Sequence, residues 1–419
     1  MCFCINYKID AQNQSVLNNI LYSIDNPTNE NIINAYDNII NSRCFKKNSY
    51  SFDMIKESLN NDEIVIELFV RPKANGKVDY FAFTIRKQYE IPHLFYLFNE
   101  DKLNSELEKG ETVFNDTKVV SLLLGPLDKE LNGVNKIFFT PAGKFHLFAI
   151  EYCNIKQGLM LSDRYQFYRL TSSSILAHRN DQKFHYDRYI IYGGIDFEVL
   201  PKYEEKYEGL KTKSRLGYLH DSYLAALDID RMLREKGLCG NLYANEDATE
   251  QSFKSLSNDS QIILIETHGV ISPNSQRKSY PNALMFAGSS YIMEGGILSD
   301  GFDDGLLTCQ EIAVKDMSKI DLAVISACKS GLGDIDWMGV NGLMRSFKTA
   351  GVNSLIMTID DVLDYVSGEI WKLFFMNLLH GMSKYESLLN AIKAVKNLHG
   401  GIYSSPKYWS SYILIDGID

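Results

Sequence analysis

Three patterns of apolar spacing succeed one another along the chain. Up to about residue 60, Leu17, Ile20 and Leu21, then Ile32, Ile33, Tyr36, Ile39 and Ile40, recur at helical spacing with Asn and Asp between them, which predicts two helices in a short lead-in. From Glu63 the period falls to two. The run Ile64-Val65-Ile66-Glu67-Leu68-Phe69-Val70, a turn at Ala74-Asn75-Gly76, and the alternation from Val78 to Ile85 predict a β-hairpin. A helix over 119–131, a strand over 136–139 closed by Thr140-Pro141-Ala142-Gly143, and a second strand over 145–150 complete this stretch. His146, between Phe145 and Leu147, reads as a half-buried strand residue with no cysteine partner in view.

Beyond residue 186 short apolar runs alternate with amphipathic stretches. Strands are expected over 188–194, 240–243, 261–266, 322–325, 354–357 and 412–415, with helices over 220–236, after Thr249, and over 340–349, 365–379 and 384–398. Such alternation predicts a mostly parallel sheet covered on both faces. The chain therefore divides into a helical lead-in (1–60), a first α/β half (61–186) and a second (187–419). The connection 270–305 is rich in Ser, Gly, Pro and Asn, and a connection of that length is expected to be functional, placed to rearrange over the strand ends.

Candidate chemistry sits at two of those ends. Leu322-Ala323-Val324-Ile325 runs into Ser326-Ala327-Cys328 and a loop opened by Gly331, and Ile262-Ile263-Leu264-Ile265-Glu266 runs into Thr267-His268-Gly269. The carboxyl edge of an open α/β sheet is where ligands and catalytic groups collect. A lone Cys there is more often a small buried hydrophobe, and a lone His a core or capping residue. As a pair they suit nucleophilic catalysis, because a thiol with a pKa near about 8.5 needs a neighbouring imidazole to become an efficient nucleophile at neutral pH. The first half offers no comparable constellation.

Composition narrows the function. The hydrophobic share of 45% and charged share of 23% over 419 residues are those of an ordinary globular chain. A net charge of −10 argues against direct nucleic-acid binding. The amino terminus lacks the charged and apolar regions of a secretory signal, and no apolar run reaches membrane-spanning length, so a cytoplasmic location and no membrane contact are expected. The seven cysteines are scattered and include no C-x-x-C pair, which disfavours disulfides and zinc. Neither phosphate-binding glycine motif occurs, and no metal or cofactor is expected.

The chain resembles the CHAT family of caspase-like cysteine peptidases, relatives of caspase, gingipain and separase. The resemblance rests on Glu266-Thr267-His268-Gly269, on Asp304-Gly305-Leu306-Leu307-Thr308-Cys309-Gln310-Glu311-Ile312, on Val324 through Gly331, on Gly342-Leu343-Met344-Arg345-Ser346-Phe347 with Ala350-Gly351-Val352, and on Tyr408-Trp409-Ser410-Ser411-Tyr412. It implies a caspase-like fold whose second half is catalytic and whose first half is not. It also implies an endopeptidase of one or few protein substrates, with Cys328 as nucleophile, His268 as proton-transfer partner and the backbone N–H groups of Gly269 and Cys328 as oxyanion hole. Regulated relatives need an activating protein partner, and the family implies a role in bacterial defence. A catalytically silent scaffold is the alternative. Where members commonly carry Trp and Pro after the strand 354–357, this chain has Ile359-Asp360-Asp361-Val362-Leu363-Asp364. By comparison with arginine-cleaving relatives, Asp364 and then Asp361 are the candidates for a substrate pocket, against a capping role for Asp364 on the helix beginning near Tyr365. Glu266 is close in sequence to His268, and no third orienting residue is evident.

Overall fold

The computed structural model describes residues 11–45, 48–73, 75–179, 185–199, 217–256, 258–270, 282–293 and 303–418. The lead-in forms the two expected helices, α1 (Ala11–Asp25) and α2 (Asn29–Ser42), the second opened by Thr28, whose hydroxyl accepts the Asn31 N–H at 3.1 Å. Leu17, Ile20, Tyr36, Ile39 and Ile40 turn inward and join Val65, Phe69, Phe83 and Phe138 from the sheet in one apolar cluster. The lead-in thus covers one face of the first half, and Val119, Leu123, Leu127 and Phe145 cover the other.

A single eleven-stranded sheet runs through both halves. Its strands are β1 (Glu63–Pro72), β2 (Val78–Ile85), β3 (His93–Asn99), β4 (Lys136–Thr140), β5 (Gln166–Arg169), β6 (Arg188–Ile195), β7 (Cys239–Asn245), β8 (Ile262–Glu266), β9 (Leu322–Ser326), β10 (Ser354–Thr358) and β11 (Tyr412–Ile415). The order across the sheet is β3-β2-β1-β4-β5-β11-β10-β9-β8-β6-β7. Neighbours are parallel except in the β1/β2 and β2/β3 hairpins and between β10 and β11. β11 joins the halves, antiparallel to β10 on one side and parallel to β5 on the other, with Ile415 opposite Arg169. Strands β8, β9 and β10 are buried along their whole length. Helices on both faces explain why they read as unbroken apolar runs rather than alternation. Among the described residues, no helix is long and apolar enough to cross a membrane.

Two expected elements are different. The strand expected over 145–150 is instead a pair of 3-10 turns, Gly143–His146 and Ile150–Tyr152. Gly143 has φ +52°, which starts the turn, and Phe145, Phe148 and Ala149 are buried at a spacing of three and four rather than two. The helix expected over 340–349 begins only at Leu343 (α4, Leu343–Thr349), because Gly339–Gly342 pairs antiparallel with Gly333–Asp336 in a hairpin just beyond Cys328. The remaining long helices, α3 (His220–Glu235), α5 (Asp364–Leu379) and α6 (Lys384–Asn397), lie where expected.

Candidate active site

The Cys and His leave the sheet at adjoining strand ends. β8 and β9 pair with Glu266 opposite Ser326, and the ladder extends through a bond from the Thr267 N–H to the Ser326 carbonyl at 3.0 Å. Continuing that register by two residues sets His268 beside Cys328. The His arm is pinned from below: Thr267 is buried with its hydroxyl on the Met285 carbonyl, and the Met285 N–H donates to the His268 carbonyl at 3.0 Å. Gly269 then pairs with Leu284 in a small antiparallel sheet. A Cβ on Gly269 would lie 2.9 Å from the Cys328 carbonyl oxygen, so the close approach of the two arms requires glycine there.

The imidazole has a defined orientation. His268 Nε2 lies 2.9 Å from the Gly217 carbonyl oxygen, and the ring packs on buried Phe197 with centroids 4.9 Å apart. A carbonyl only accepts, so Nε2 is the donor in this arrangement, which leaves Nδ1 as the ring nitrogen turned away from Gly217. The orienting group absent from the sequence reading is therefore a main-chain oxygen. It has no side-chain signature, and no motif or spacing points to it.

Cys328 sits in a tight turn held to the next strand. The Gly331 N–H donates to the Thr358 carbonyl at 2.8 Å and the Thr358 hydroxyl to the Ala327 carbonyl at 2.5 Å. Lys329 takes a left-handed φ of +57°, a conformation that costs a side-chain-bearing residue about 1–2 kcal/mol and re-aims the chain directly after the sulfur. Burial pushes the Cys328 thiol above its ordinary value and the nearby Asp361 adds to this; the Val362 N–H, directed at the sulfur, and the Lys329 ammonium pull the other way. The resting group is a thiol, and among the described residues no hydrogen bond joins it to His268.

The turn after β10 opens at this edge, and the two candidate acids on it differ. Asp361 is exposed and bound by Lys329 Nζ at 2.6 Å. Asp364 accepts the Asp221 N–H at 2.9 Å, the Ser222 N–H at 3.1 Å and the Ser222 hydroxyl. It caps the amino end of α3, whereas the capping alternative had placed it on its own helix, α5. Glu266 is fully buried, and among the described residues neither of its carboxyl oxygens has a hydrogen-bond partner. Burial, then the Asp364 carboxylate, hold its pKa well above the usual carboxylate range. Within the connection 270–305 expected to rearrange, residues 271–281 and 294–302 lie outside the described residues, while Ala283–Met285 is a strand of the small sheet and Ser289–Met293 a short helix. Among the described residues no group of three His, Cys, Asp or Glu could hold a metal ion.

Solved structures share this framework. The separase–securin complex of Saccharomyces cerevisiae aligns with a TM-score of 0.51 at 10% identity, covering 98% of this chain and 34% of that one. The Arg-specific cysteine proteinase gingipain R aligns with a TM-score of 0.46 at 10% identity, covering 72% of this chain and 66% of that one. The chain thus spans a third of the former and just under two thirds of the latter. No curated protein matches the sequence. Fold and strand-end residues together define a caspase-like α/β protein with Cys and His at neighbouring ends of its sheet. The CHAT domain matches residues 117–416, and the chain belongs to that family.

Proposed function

We propose that this protein is a cysteine endopeptidase acting through Cys328 and His268. The observation that carries the reading is the meeting of the two strand ends, where Gly269 touches the Cys328 carbonyl and a main-chain oxygen fixes the imidazole. In the proposed reaction His268 Nδ1 takes the thiol proton as Sγ bonds to the scissile carbonyl carbon. The proton then passes to the leaving nitrogen as the C–N bond breaks, and water hydrolyses the thioester to release the acid and regenerate the thiol. The N–H groups of Gly269 and Cys328 would stabilise the oxyanion. Asp361 is the better placed acid for a basic side chain before the cut, since it is exposed beside Cys328; a substrate guanidinium would displace Lys329 from it.

The resting state is latent in this proposal: the thiol is protonated and not hydrogen-bonded to His268, so substrate or a protein partner must complete the dyad. The separase neighbour was solved with securin, which supports a protein partner here. Regulated cleavage of one or few proteins in the cytoplasm, in bacterial defence, is the role this reading assigns. Incubation with a peptide acyloxymethyl ketone, with and without cell extract, tests it. A covalent adduct on Cys328 that His268→Ala abolishes is expected. Absence of any adduct in both conditions would leave the silent-scaffold reading in its place.

A further inference from the structure

Helix α3 begins without a cap of its own. The residue before it, Leu219, offers no side-chain acceptor, yet the first N–H groups of an α-helix have no partner within the helix. Asp364, in the turn after β10, supplies the acceptor: its carboxylate takes the Asp221 and Ser222 N–H groups at 2.9 and 3.1 Å and the Ser222 hydroxyl. Negative charge is favoured at that end of a helix by the aligned peptide dipoles. α5, which Asp364 opens, has no side-chain cap either, so this carboxylate goes to the neighbouring helix in place of its own.

The cap acts on the histidine because of what precedes α3. The Gly217 carbonyl, 2.9 Å from His268 Nε2, lies four residues before Asp221. The stretch between them is tied down along its length: the Tyr223 N–H donates to the Leu219 carbonyl at 3.1 Å, the His220 N–H to the Tyr218 carbonyl at 3.1 Å, and the Tyr218 hydroxyl to Asn245 Oδ1 at 3.3 Å. The first turn of α3 also presses on the end of β6, where a Cβ on Gly194 would lie 2.4 Å from the Tyr223 ring. Moving that first turn therefore moves the Gly217 carbonyl. The residues that bear Asp364 hold the cysteine as well: the Thr358 and Asp360 carbonyls accept the Gly331 and Lys329 N–H groups at 2.8 and 3.3 Å, and the Val362 N–H is directed at the Cys328 sulfur.

We infer that the turn 358–364 holds both members of the dyad in register, and that Asp364 is a positioning residue for His268, acting through the first turn of α3 and the Gly217 carbonyl. The inference rests on the roles proposed above for Cys328 and His268, but the orientation of the imidazole can be read without any cleavage.

The test uses the full chain carrying nitrogen-15 histidine, followed by magnetic resonance at a pH above the ordinary imidazole value of about 6.5. The His268 signal, assigned by its absence from His268→Ala, should show the proton on Nε2 in the wild type. Asp364→Ala should mix the two tautomers and lower kcat on a cleaved peptide by about tenfold or more with KM within about twofold, because a misplaced catalytic group costs rate. Asp364→Asn keeps one oxygen for Ser222 and should fall between, which covers failure of the alanine variant to fold. Ser383→Ala removes the cap of α6, whose Lys384 lies at the amino end of β9 on Asp321, and should leave the His268 signal and kcat as in the wild type. A proton on Nδ1 in the wild type, an unchanged signal in both Asp364 variants, or an equal change in Ser383→Ala would overturn the inference even in a chain that cleaves. A signal that shifts only in the Asp364 variants, in a chain that cleaves nothing, would uphold the positioning of His268 and remove the peptidase reading.

Discussion

At the scale of single residues, the dyad is the sharpest test. Alanine at Cys328 or His268 should each lower turnover by several orders of magnitude, and the double variant should lose little more, because groups that act as a unit are not additive. Strictly additive losses in kcat/KM would remove the dyad. Glu266 gives a prediction that concerns folding. Its folded pKa is raised, so the native state holds a proton that the unfolded chain releases once pH passes the ordinary carboxylate value. Its contribution to stability is complete below that value and falls as pH rises, by about 1.4 kcal/mol per pH unit, until the folded pKa is reached. Denaturant titrations from pH 4 to pH 8 should show this slope in the wild type and its loss in Glu266→Gln; parallel curves would mean that Glu266 is not protonated. Asp364→Asn should cost about 1 kcal/mol of stability through the α3 cap and affect peptides with Arg, Met or Leu before the cut alike. Asp361→Asn should weaken cleavage of the Arg peptide selectively. A selective loss in Asp364→Asn instead would return that residue to the pocket.

At the scale of elements, the contact between the two strand ends depends on Gly269. Gly269→Ala would place a methyl carbon against the Cys328 carbonyl, and the arms must part by a few tenths of an ångström. Labelling of Cys328 should fall at least tenfold while far-ultraviolet circular dichroism stays unchanged. Much of this element level was legible in the sequence. The strands bearing Cys and His announced themselves through Ile262–Glu266 and Leu322–Ser326, because burial on both faces demands unbroken apolar runs. The strand 93–99 went unrecognised: it is a half-covered edge strand, and its sequence does not alternate cleanly. The 3-10 turns at 143–152 were mistaken for a strand because a dense aromatic run looks the same whether it packs with period two or three. Asp364 was recognised as a possible cap, but a carboxylate that reaches across to residues 221 and 222 follows from tertiary contact, which local sequence cannot display. The Gly217 carbonyl was out of reach for the same reason.

At the scale of the whole molecule, the lead-in and the two halves are bound by buried charge as well as by apolar surface. Arg43 on the lead-in reaches Glu67 in β1 and the Trp337 carbonyl in the second half. Arg43→Met would leave Glu67 buried without its cation and should cost about 3–5 kcal/mol, read as a lower midpoint in urea; a loss under 1 kcal/mol would show that the lead-in is only loosely attached. The seam between the halves is different in kind, because β11 fills the gap between β5 and β10 and comes last of the eleven strands in chain order. Synthesis on the ribosome proceeds in that same order. The cysteine and histidine strands emerge first, yet the sheet that steadies them stays split until Tyr412–Ile415 has been made. On the proposed reading of Cys328 and His268, the site of a nascent chain is therefore incomplete until this strand has joined the two halves. Ribosome-bound chains arrested before residue 412 should resist the active-site label, and chains carried past residue 415 and released should accept it under the same conditions.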